Sequence, residues 1–294
     1  MNRNLYAAPV IVCAVLAASS VVALAQSVPT AIYTDPTPDK AHPAKMTVLH
    51  IPSHGALING ILYQPSGAGP HPTAVICHGL PGNEKNLDLA QALRRAGWNA
   101  VTFNYRGSWG SPGNFRFAQN LEDAAAVLSY LRDPANAQTL RVDTSRIAII
   151  GHSMGGWVAA QTAANDHALI GAGLISAADV GRLGLVPRPA LVKAMADNME
   201  SLAGVTPESM ADELMANAKT FSMANAAEGL KPMPLLVLTA DDGLARDAGA
   251  LVKAIEAAGG HKATTLHFAT DHSWSDRRIT LESEIIKWLA GLQP

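Results

Sequence analysis

The sequence predicts an α/β protein with a mostly parallel central sheet and helices on both of its faces. Short apolar runs rich in β-branched residues recur along the chain, as in strands buried inside a parallel sheet. Most of these runs precede a longer segment whose apolar residues have helical spacing. Strands that alternate with helices in this way are typical of a parallel sheet covered on both sides.

The predicted elements follow one another in a regular order. Residues 46–51 and 56–63 are apolar runs separated by the turn sequence Pro-Ser-His-Gly, which predicts a hairpin. Further strands are predicted at 73–77, 100–103, 146–150, 170–175, 235–239 and 263–268. Helices are predicted at 87–96, 120–131, directly after Ser153, at 244–258 and at 280–290. Ligands of such sheets bind outside the carboxyl ends of the strands, so functional residues are expected in the turns at those ends.

The first 25 residues have the pattern of a secretory signal peptide. Arg3 supplies a positive start, residues 5–24 are almost wholly apolar, and Ala23-Leu24-Ala25 has the small-x-small pattern of a cleavage site. An uncleaved membrane anchor is the alternative, because the run approaches the roughly 20 residues that span a bilayer. Cleavage is the prediction. We therefore expect an exported protein, periplasmic or extracellular, with no membrane span once the signal is removed.

The rest of the chain is predicted to form one domain behind an extended lead-in. Residues 26–44 are rich in Pro, Thr and Asp and predict the lead-in, and residues 45–294 suit a single α/β unit in length. The segment at about 177–234 interrupts the alternation of strands and helices. It is rich in Ala and Met and predicts two or three helices inserted as a cap. The methionines there either contact an apolar ligand or simply fill the packing.

Composition and charge argue against several classes of function. The net charge of −2 gives no reason to expect a nucleic acid or an anionic membrane surface as partner. Cys77 is the one cysteine after the predicted signal, so no internal disulfide is expected, and its apolar surroundings predict a buried thiol. The sequence has no C-x-x-C or H-E-x-x-H pattern, and its ten histidines are scattered. We therefore expect neither a metal nor a cofactor.

The pattern Gly151-His152-Ser153-Met154-Gly155 lies between a predicted strand and a predicted helix. G-x-S-x-G in that position is typical of a nucleophile elbow, a tight turn that pushes the serine hydroxyl out of the sheet edge. Glycines flank the serine because a side chain would clash where the turn closes. The pattern alone is short and degenerate, but its setting favours Ser153 as a covalent nucleophile.

A serine nucleophile needs a base, and the base needs a group that orients it. In folds with this elbow the order along the chain is Ser, then Asp or Glu, then His. His272 follows the last predicted strand and is the candidate base, whereas Asp241 and Asp242 follow the strand before it. Asp242 is favoured as the orienting acid because it lies deeper in its turn. Asp241 remains the alternative.

The tetrahedral intermediate of acyl transfer needs backbone N–H donors for its oxyanion. Met154, the residue after the nucleophile, is one candidate. The turn His78-Gly-Leu-Pro-Gly supplies the other, and Leu80 is favoured there because Pro81 has no N–H. His78 and His152 are interpreted as residues that shape their turns, not as catalytic bases.

Together these motifs resemble those of the α/β-hydrolase superfamily over nearly all of the chain after the predicted signal. The residues that carry the resemblance are 78–82, 104–108, 151–155, 239–242 and 271–272. The segment Asn-Tyr-Arg-Gly-Ser at 104–108 is similar to that of prolyl oligopeptidases, acylaminoacyl peptidases and dienelactone-hydrolase-like proteins. The resemblance implies the α/β-hydrolase fold, with Ser153 as nucleophile, His272 as base and Asp242 as orienting acid. It also implies oxyanion donors at Leu80 and Met154, without a cofactor.

Two features depart from these relatives. Only about 20 residues separate the predicted signal from the first predicted strand, which leaves no room there for the propeller domain of oligopeptidases. The H-G-x-P-G turn also resembles that of epoxide hydrolases and dehalogenases, which carry Asp at the elbow. Ser153 argues against their chemistry.

We therefore expect a hydrolase of carboxylic esters with small or medium acyl groups. The alternatives are a serine peptidase or amidase acting on short peptides or amides, and a non-catalytic binding protein on the same scaffold. Trp109 and Trp274 are candidate pocket residues, with plain packing as the alternative for each. Arg106 lies near the expected mouth of the site. Arg106 could bind a substrate carboxylate through two hydrogen bonds, or it could anchor its own turn. The anchoring role is favoured.

Overall fold

The computed structural model describes residues 28–292, so the predicted signal peptide at residues 1–25 lies outside the described residues. Its strands are β1 (Lys45–Ser53), β2 (Ala56–Gln64), β3 (His71–Cys77), β4 (Asn99–Phe103), β5 (Val142–His152), β6 (Gly171–Ile175), β7 (Leu235–Ala240) and β8 (Ala263–Phe268). Its α-helices are α1 (Leu87–Arg95), α2 (Phe117–Arg132), α3 (Pro134–Leu140), α4 (Met154–Asn165), α5 (Val180–Leu183), α6 (Arg188–Ala196), α7 (Pro207–Ala216), α8 (Ala227–Leu230), α9 (Ala245–Ala257) and α10 (Arg278–Gly291).

The eight strands form a single sheet in the order β1-β2-β4-β3-β5-β6-β7-β8. β1 and β2 form the predicted hairpin, and β2 pairs antiparallel with β4. Every other neighbouring pair is parallel. This mostly parallel sheet confirms the predicted fold class. β4, β6 and β7 are buried at every residue, because helices cover both faces of the sheet.

The two faces of the sheet carry separate apolar cores. Side chains of α2, α4 and α9 pack on one face, and side chains of α1 and α10 pack on the other. Successive strand residues alternate between the faces, so Val75 joins the first core and Ile76 the second. The indole of Trp157 lies wholly inside the first core, where its N–H donates to the carbonyl of Phe221 at 2.7 Å. Its one polar atom is therefore satisfied.

A helix after Pro134 is absent from the sequence prediction but present in the structure as α3. The sequence predicts that a helix ends near residue 131, and α2 does end at Arg132. The side chain of Asp133 then accepts hydrogen bonds from the amides of Ala135 and Asn136, at 3.1 and 3.0 Å. Pro134 occupies the first helical position, where a missing N–H costs nothing. Aspartate followed by proline thus starts a new helix here.

Residues 177–234 contain helices α5 to α8, a short 3-10 helix at Met223–Ala226 and no strand of the sheet. Met195, Met210 and Met223 are buried in the first core and act as packing residues. The middle of the segment contacts turns at the carboxyl edge of the sheet, since the hydroxyl of Ser201 donates to the carbonyl of Pro81 at 3.2 Å. The last helix, α8, packs on α4 and α9.

Within residues 28–292, no helix combines the length and the apolar character that crossing a membrane requires.

Candidate active site

Ser153 lies at the junction of β5 and α4 with φ 58° and ψ −122°. A positive φ is unfavourable for a residue with a Cβ, so the surrounding structure must hold it in place. Main-chain packing does so. A Cβ added to Gly151 would lie 1.9 Å from the carbonyl oxygen of Gly155, and one added to Gly155 would lie 2.1 Å from that of Cys77. Only glycine fits at either position, and the elbow is fixed by backbone contacts.

The main chain of Ser153 is also held by hydrogen bonds. Its N–H donates to the carbonyl of Ile175 at 2.9 Å, and its carbonyl accepts from the amides of Gly156 and Ala178 at 2.9 and 3.1 Å. Ser153 is partly exposed, whereas His152 and Met154 on either side are buried. The elbow therefore presents the serine side chain at the carboxyl edge of the sheet.

The imidazole of His272 is oriented by Asp242. Its Nδ1–H donates to Asp242 Oδ2 at 2.8 Å, and the other carboxylate oxygen accepts from the amide of Leu244 at 2.9 Å. Burial raises the pKa of Asp242, but the hydrogen bonds from His272 and Leu244 more than offset it, so the pKa lies below its usual range. An ionised carboxylate only accepts hydrogen bonds, so the proton in this contact is carried by His272 Nδ1.

The neighbouring Asp241 points away from His272. Its side chain is 62% exposed and accepts a hydrogen bond from His267 Nε2 at 3.0 Å, whereas that of Asp242 is 3% exposed. Of the two aspartates that sequence reasoning leaves open, Asp242 is therefore the one in contact with His272.

His152 connects the elbow to the turn that carries His272. Its Nε2–H donates to the carbonyl oxygen of His272 at 2.8 Å, and the two imidazole rings lie 4.7 Å apart. Burial lowers the pKa of His152 to about 4, so the ring is neutral near pH 7. Within the described chain, the Ser153 hydroxyl makes no hydrogen bond to His272. Such contacts often tighten only when substrate binds.

The turn after β3 lies directly against Ser153. A Cβ added to Gly79 would come 2.9 Å from the Cβ of Ser153. The adjacent amide of Leu80 and the amide of Met154 donate no hydrogen bond within residues 28–292. Two N–H groups beside the elbow are therefore free to receive an anionic oxygen.

His78 shapes this turn from inside the protein. The Nδ1–H of His78 donates to the carbonyl of Gly79 at 2.8 Å, and the carbonyl of His78 accepts a hydrogen bond from the hydroxyl of Tyr105 at 3.2 Å. Burial lowers the pKa of His78 to about 4. Gly82 has φ 98°, and a Cβ there would lie 2.2 Å from His78 Nδ1. The turn thus closes around a neutral imidazole.

Arg106 is engaged by acidic residues of α2. Its Nε–H donates to Asp123 Oδ1 at 2.6 Å, a terminal N–H donates to Glu122 at 2.5 Å, and its backbone N–H donates to Asp123 Oδ2 at 2.8 Å. The side chain is almost completely buried. These contacts match the anchoring interpretation of Arg106, because its guanidinium is occupied away from any ligand.

The two candidate tryptophans differ in their surroundings. Trp274 is fully buried, packs against Phe268 and donates its indole N–H to the hydroxyl of Ser176 at 3.1 Å, so the structure gives it the packing alternative. Trp109 is partly exposed, and its indole N–H donates to the carbonyl of Pro81 at 2.7 Å. Trp109 therefore lies beside the turn at residues 78–82.

Metal-ligating residues are not clustered in the described chain. Among residues 28–292, no group of three or more His, Cys, Asp or Glu side chains is arranged to hold a metal ion. Cys77 is buried, and burial raises the pKa of its thiol to about 12, so it is not a nucleophile.

Part of this chain is similar in sequence to curated proteins. An uncharacterized protein of Mycobacterium tuberculosis is 30% identical over 125 residues, which are 42% of this chain and 43% of that protein. The chain thus spans less than half the length of this curated relative.

Solved structures share the fold at low identity. An esterase of Pyrobaculum calidifontis matches with a TM-score of 0.65 and 21% identity, covering 86% of this chain and 88% of that chain. The acylaminoacyl peptidase of Pyrococcus horikoshii matches with a TM-score of 0.64 and 15% identity, covering 85% of this chain and 42% of that longer chain. The model of the alpha/beta hydrolase family matches residues 74–282, which run from β3 to α10 and include the elbow and the His272 turn. The chain therefore belongs to the alpha/beta hydrolase family.

Proposed function

We propose that this protein is an exported serine hydrolase that cleaves carboxylic esters through a covalent acyl-enzyme. The observation that carries the proposal is the hydrogen bond between His272 and the buried carboxylate of Asp242. A second hydrogen bond, from His152 to the carbonyl of His272, connects the His272 turn to the elbow that carries Ser153. Ser153, His272 and Asp242 lie at the carboxyl edge of the sheet, and this placement supports a triad of nucleophile, base and orienting acid.

In the first half of the reaction, Ser153 Oγ attacks the carbonyl carbon of the ester. His272 Nε2 takes the hydroxyl proton, and the positive imidazolium that results is stabilised by Asp242. The carbonyl oxygen becomes an oxyanion held by the N–H groups of Leu80 and Met154. When the tetrahedral intermediate collapses, the bond to the alkoxide breaks, His272 gives its proton to that alkoxide, and the acyl group stays on Ser153.

In the second half, water replaces the alcohol. His272 Nε2 takes a proton from water while the water oxygen attacks the acyl carbon. The same two N–H groups hold the second oxyanion. Collapse breaks the bond to Ser153 Oγ, which recovers its proton from His272, and the carboxylic acid leaves.

Ester substrates are favoured over amides because solved structures of this fold that match the chain include esterases by name. A peptidase or amidase is the second candidate. It is supported by the Asn104–Ser108 segment and by the shared fold of an acylaminoacyl peptidase. Relative rates distinguish the two candidate functions. An esterase will hydrolyse a p-nitrophenyl ester faster than the matching aminoacyl p-nitroanilide, whereas a peptidase will hydrolyse the anilide faster.

Ser153→Ala tests the chemistry. We expect its kcat on p-nitrophenyl butyrate to fall by at least about a thousandfold, because the covalent step is lost. Ser145→Ala is the matched control, since Ser145 is exposed at the opposite end of β5. Full turnover by Ser153→Ala would refute the proposal. If folded wild-type protein takes no label from a fluorophosphonate probe, the chain is instead a binding protein on this scaffold.

Export is tested at the amino terminus. If the signal is cleaved after Ala25, sequencing of the protein recovered from the periplasm or the medium will begin at Gln26. Ala25→Leu removes the small residue of the cleavage pattern and should leave the chain unprocessed. Mature protein that begins at Met1 and stays in the cytoplasm would contradict the export proposal.

A further inference from the structure

A cavity of about 270 Å³ lies on the α1 side of the sheet, at the carboxyl ends of β3 and β4. Ile61, Ile76 and Thr102 lie on three neighbouring strands and form its floor. Val48 and Leu87 also line it and are 64% and 43% exposed. Large apolar side chains that remain so exposed around a cavity offer surface to an apolar group.

The lining of the cavity also includes one cationic side chain, that of Lys85. The Lys85 ammonium donates to Asn104 Oδ1 at 3.2 Å and lies 4.0 Å from the ring centre of Trp109. Within residues 28–292, no carboxylate forms an ion pair with Lys85, and burial is the one cause of its pKa shift. Partial burial lowers the pKa of Lys85, because the charged amine has lost part of its water. The ammonium thus has a neutral hydrogen-bond partner, an aromatic face and room for an anion.

We propose that this cavity binds a medium-chain aliphatic carboxylate, with its carboxylate on Lys85 and its chain against Ile61, Ile76 and Val48. The size supports this ligand. A cavity of about 150 Å³ holds benzene, so 270 Å³ holds about ten non-hydrogen atoms, the size of octanoate.

The charge of the cavity supports a carboxylate over a phosphate. Lys85 is the one cationic side chain among the residues that line it, and no arginine fork is present among them. A single ammonium matches a singly charged headgroup, whereas phosphate sites in proteins usually gather several donors.

The cavity adjoins the site of Ser153 through the turn at residues 78–82, which supplies the Leu80 amide in the proposed mechanism. His78 lines the cavity and precedes Gly79, whose Cα lies against Ser153. Lys85 also contacts Trp109, whose indole N–H donates a hydrogen bond to the carbonyl of Pro81 in the same turn. The binding proposal does not depend on ester hydrolysis, because neither Lys85 nor the apolar floor belongs to the proposed triad.

The test is isothermal titration of the full chain with sodium octanoate. We expect saturable binding of one octanoate to the wild type, about tenfold weaker binding to Lys85→Met, and no change in Lys253→Met, which removes an exposed lysine of α9. Lys85→Met keeps an apolar side chain of similar length over Trp109, so the contrast isolates the charge. Octanol, which lacks the charge, should bind both the wild type and Lys85→Met equally and weakly.

A second variant tests the apolar part of the lining. Val48→Asp places a negative charge on an exposed position of the rim and should weaken octanoate binding by about tenfold. Leu185→Asp is its control, since Leu185 is exposed in the 177–234 segment. Lack of saturable binding, wild-type affinity in Lys85→Met or Val48→Asp, or an equal loss in either control would overturn the proposal.

Discussion

Asp242→Asn removes one negative charge from the site and leaves the shape of the side chain almost unchanged. In the proposed mechanism this charge faces an imidazolium in each transition state. The two atoms that join the groups are 2.8 Å apart. Coulomb's law for unit charges at this distance gives about 6 kcal/mol at an effective dielectric constant of about 20, and about 3 kcal/mol at about 40.

The surroundings decide where in this range the effect lies. The side chain of Asp242 is 3% exposed and that of His272 is 40% exposed, so solvent screens one partner of the pair. Each 1.4 kcal/mol or so of transition-state stabilisation is a factor of ten in rate. We therefore expect kcat of Asp242→Asn to fall between about a hundredfold and about ten-thousandfold, with a much smaller change in KM.

The assay is steady-state hydrolysis of p-nitrophenyl butyrate by wild type, Asp242→Asn and Asp241→Asn. Asp241→Asn is the matched control, because it makes the same change one residue away on an exposed carboxylate bonded to His267. Its kcat should stay within about twofold of wild type. If folded Asp242→Asn keeps more than about a tenth of the wild-type kcat, or if Asp241→Asn loses as much, Asp242 is not the carboxylate that stabilises the imidazolium of His272.

Substitutions at His152, Gly79 and Glu282 give three further predictions. His152→Phe cannot donate to the carbonyl of His272, so its kcat should be about tenfold lower, while His152→Gln, which still has an N–H, should recover part of the rate; equal rates would contradict a role for this hydrogen bond. Gly79→Ala should lower kcat by about a hundredfold, because the added methyl group displaces the turn at residues 78–82 from Ser153. Gly249→Ala is the control and should leave kcat unchanged, because a methyl group there meets only open space. Burial raises the pKa of Glu282 to about 7, assisted by the nearby Asp88 carboxylate. Because the folded protein holds the Glu282 proton more tightly than the unfolded chain does, the raised pKa adds to the free energy of unfolding. This contribution is complete below the unfolded pKa of about 4.3 and is lost as the pH rises through about 7. In urea unfolding, the free energy of unfolding of Glu282→Gln should therefore rise relative to that of wild type by up to roughly 3 kcal/mol between pH 4 and pH 8. If the two free energies change in parallel with pH, the prediction is wrong.

The fold was accessible from the sequence because its signals are local. Each buried strand shows as an apolar run, and Gly97 and Gly259 mark the ends of two helices with positive φ. α3 escaped prediction because its start depends on a cap rather than on apolar periodicity. Asp133 and Pro134 are also typical of a chain leaving a helix, and only the hydrogen bonds of the Asp133 side chain distinguish the two outcomes.

The candidate site was less accessible, because its contacts join distant parts of the chain. Sequence order alone placed Ser153, Asp242 and His272 at one sheet edge, but it left Asp241 open. Two adjacent turn residues differ in burial only through the direction of their side chains, which composition does not encode. The hydrogen bond from His152 to His272 spans 120 residues, and no local pattern marks it. The Lys85 cavity likewise depends on four separate strands and one helix.

The backbone contact of Gly155 with Cys77 has a consequence for how the chemistry of this chain can change. The elbow and the end of β3 meet main chain to main chain, so backbone contacts fix how close position 153 lies to the turn at residues 78–82. In the proposed mechanism, a different nucleophilic residue at position 153 would be held by the same backbone contacts, at the same place relative to the turn at residues 78–82. New reactions on this scaffold are therefore more accessible by exchanging the residue at 153 than by reshaping the turn around it.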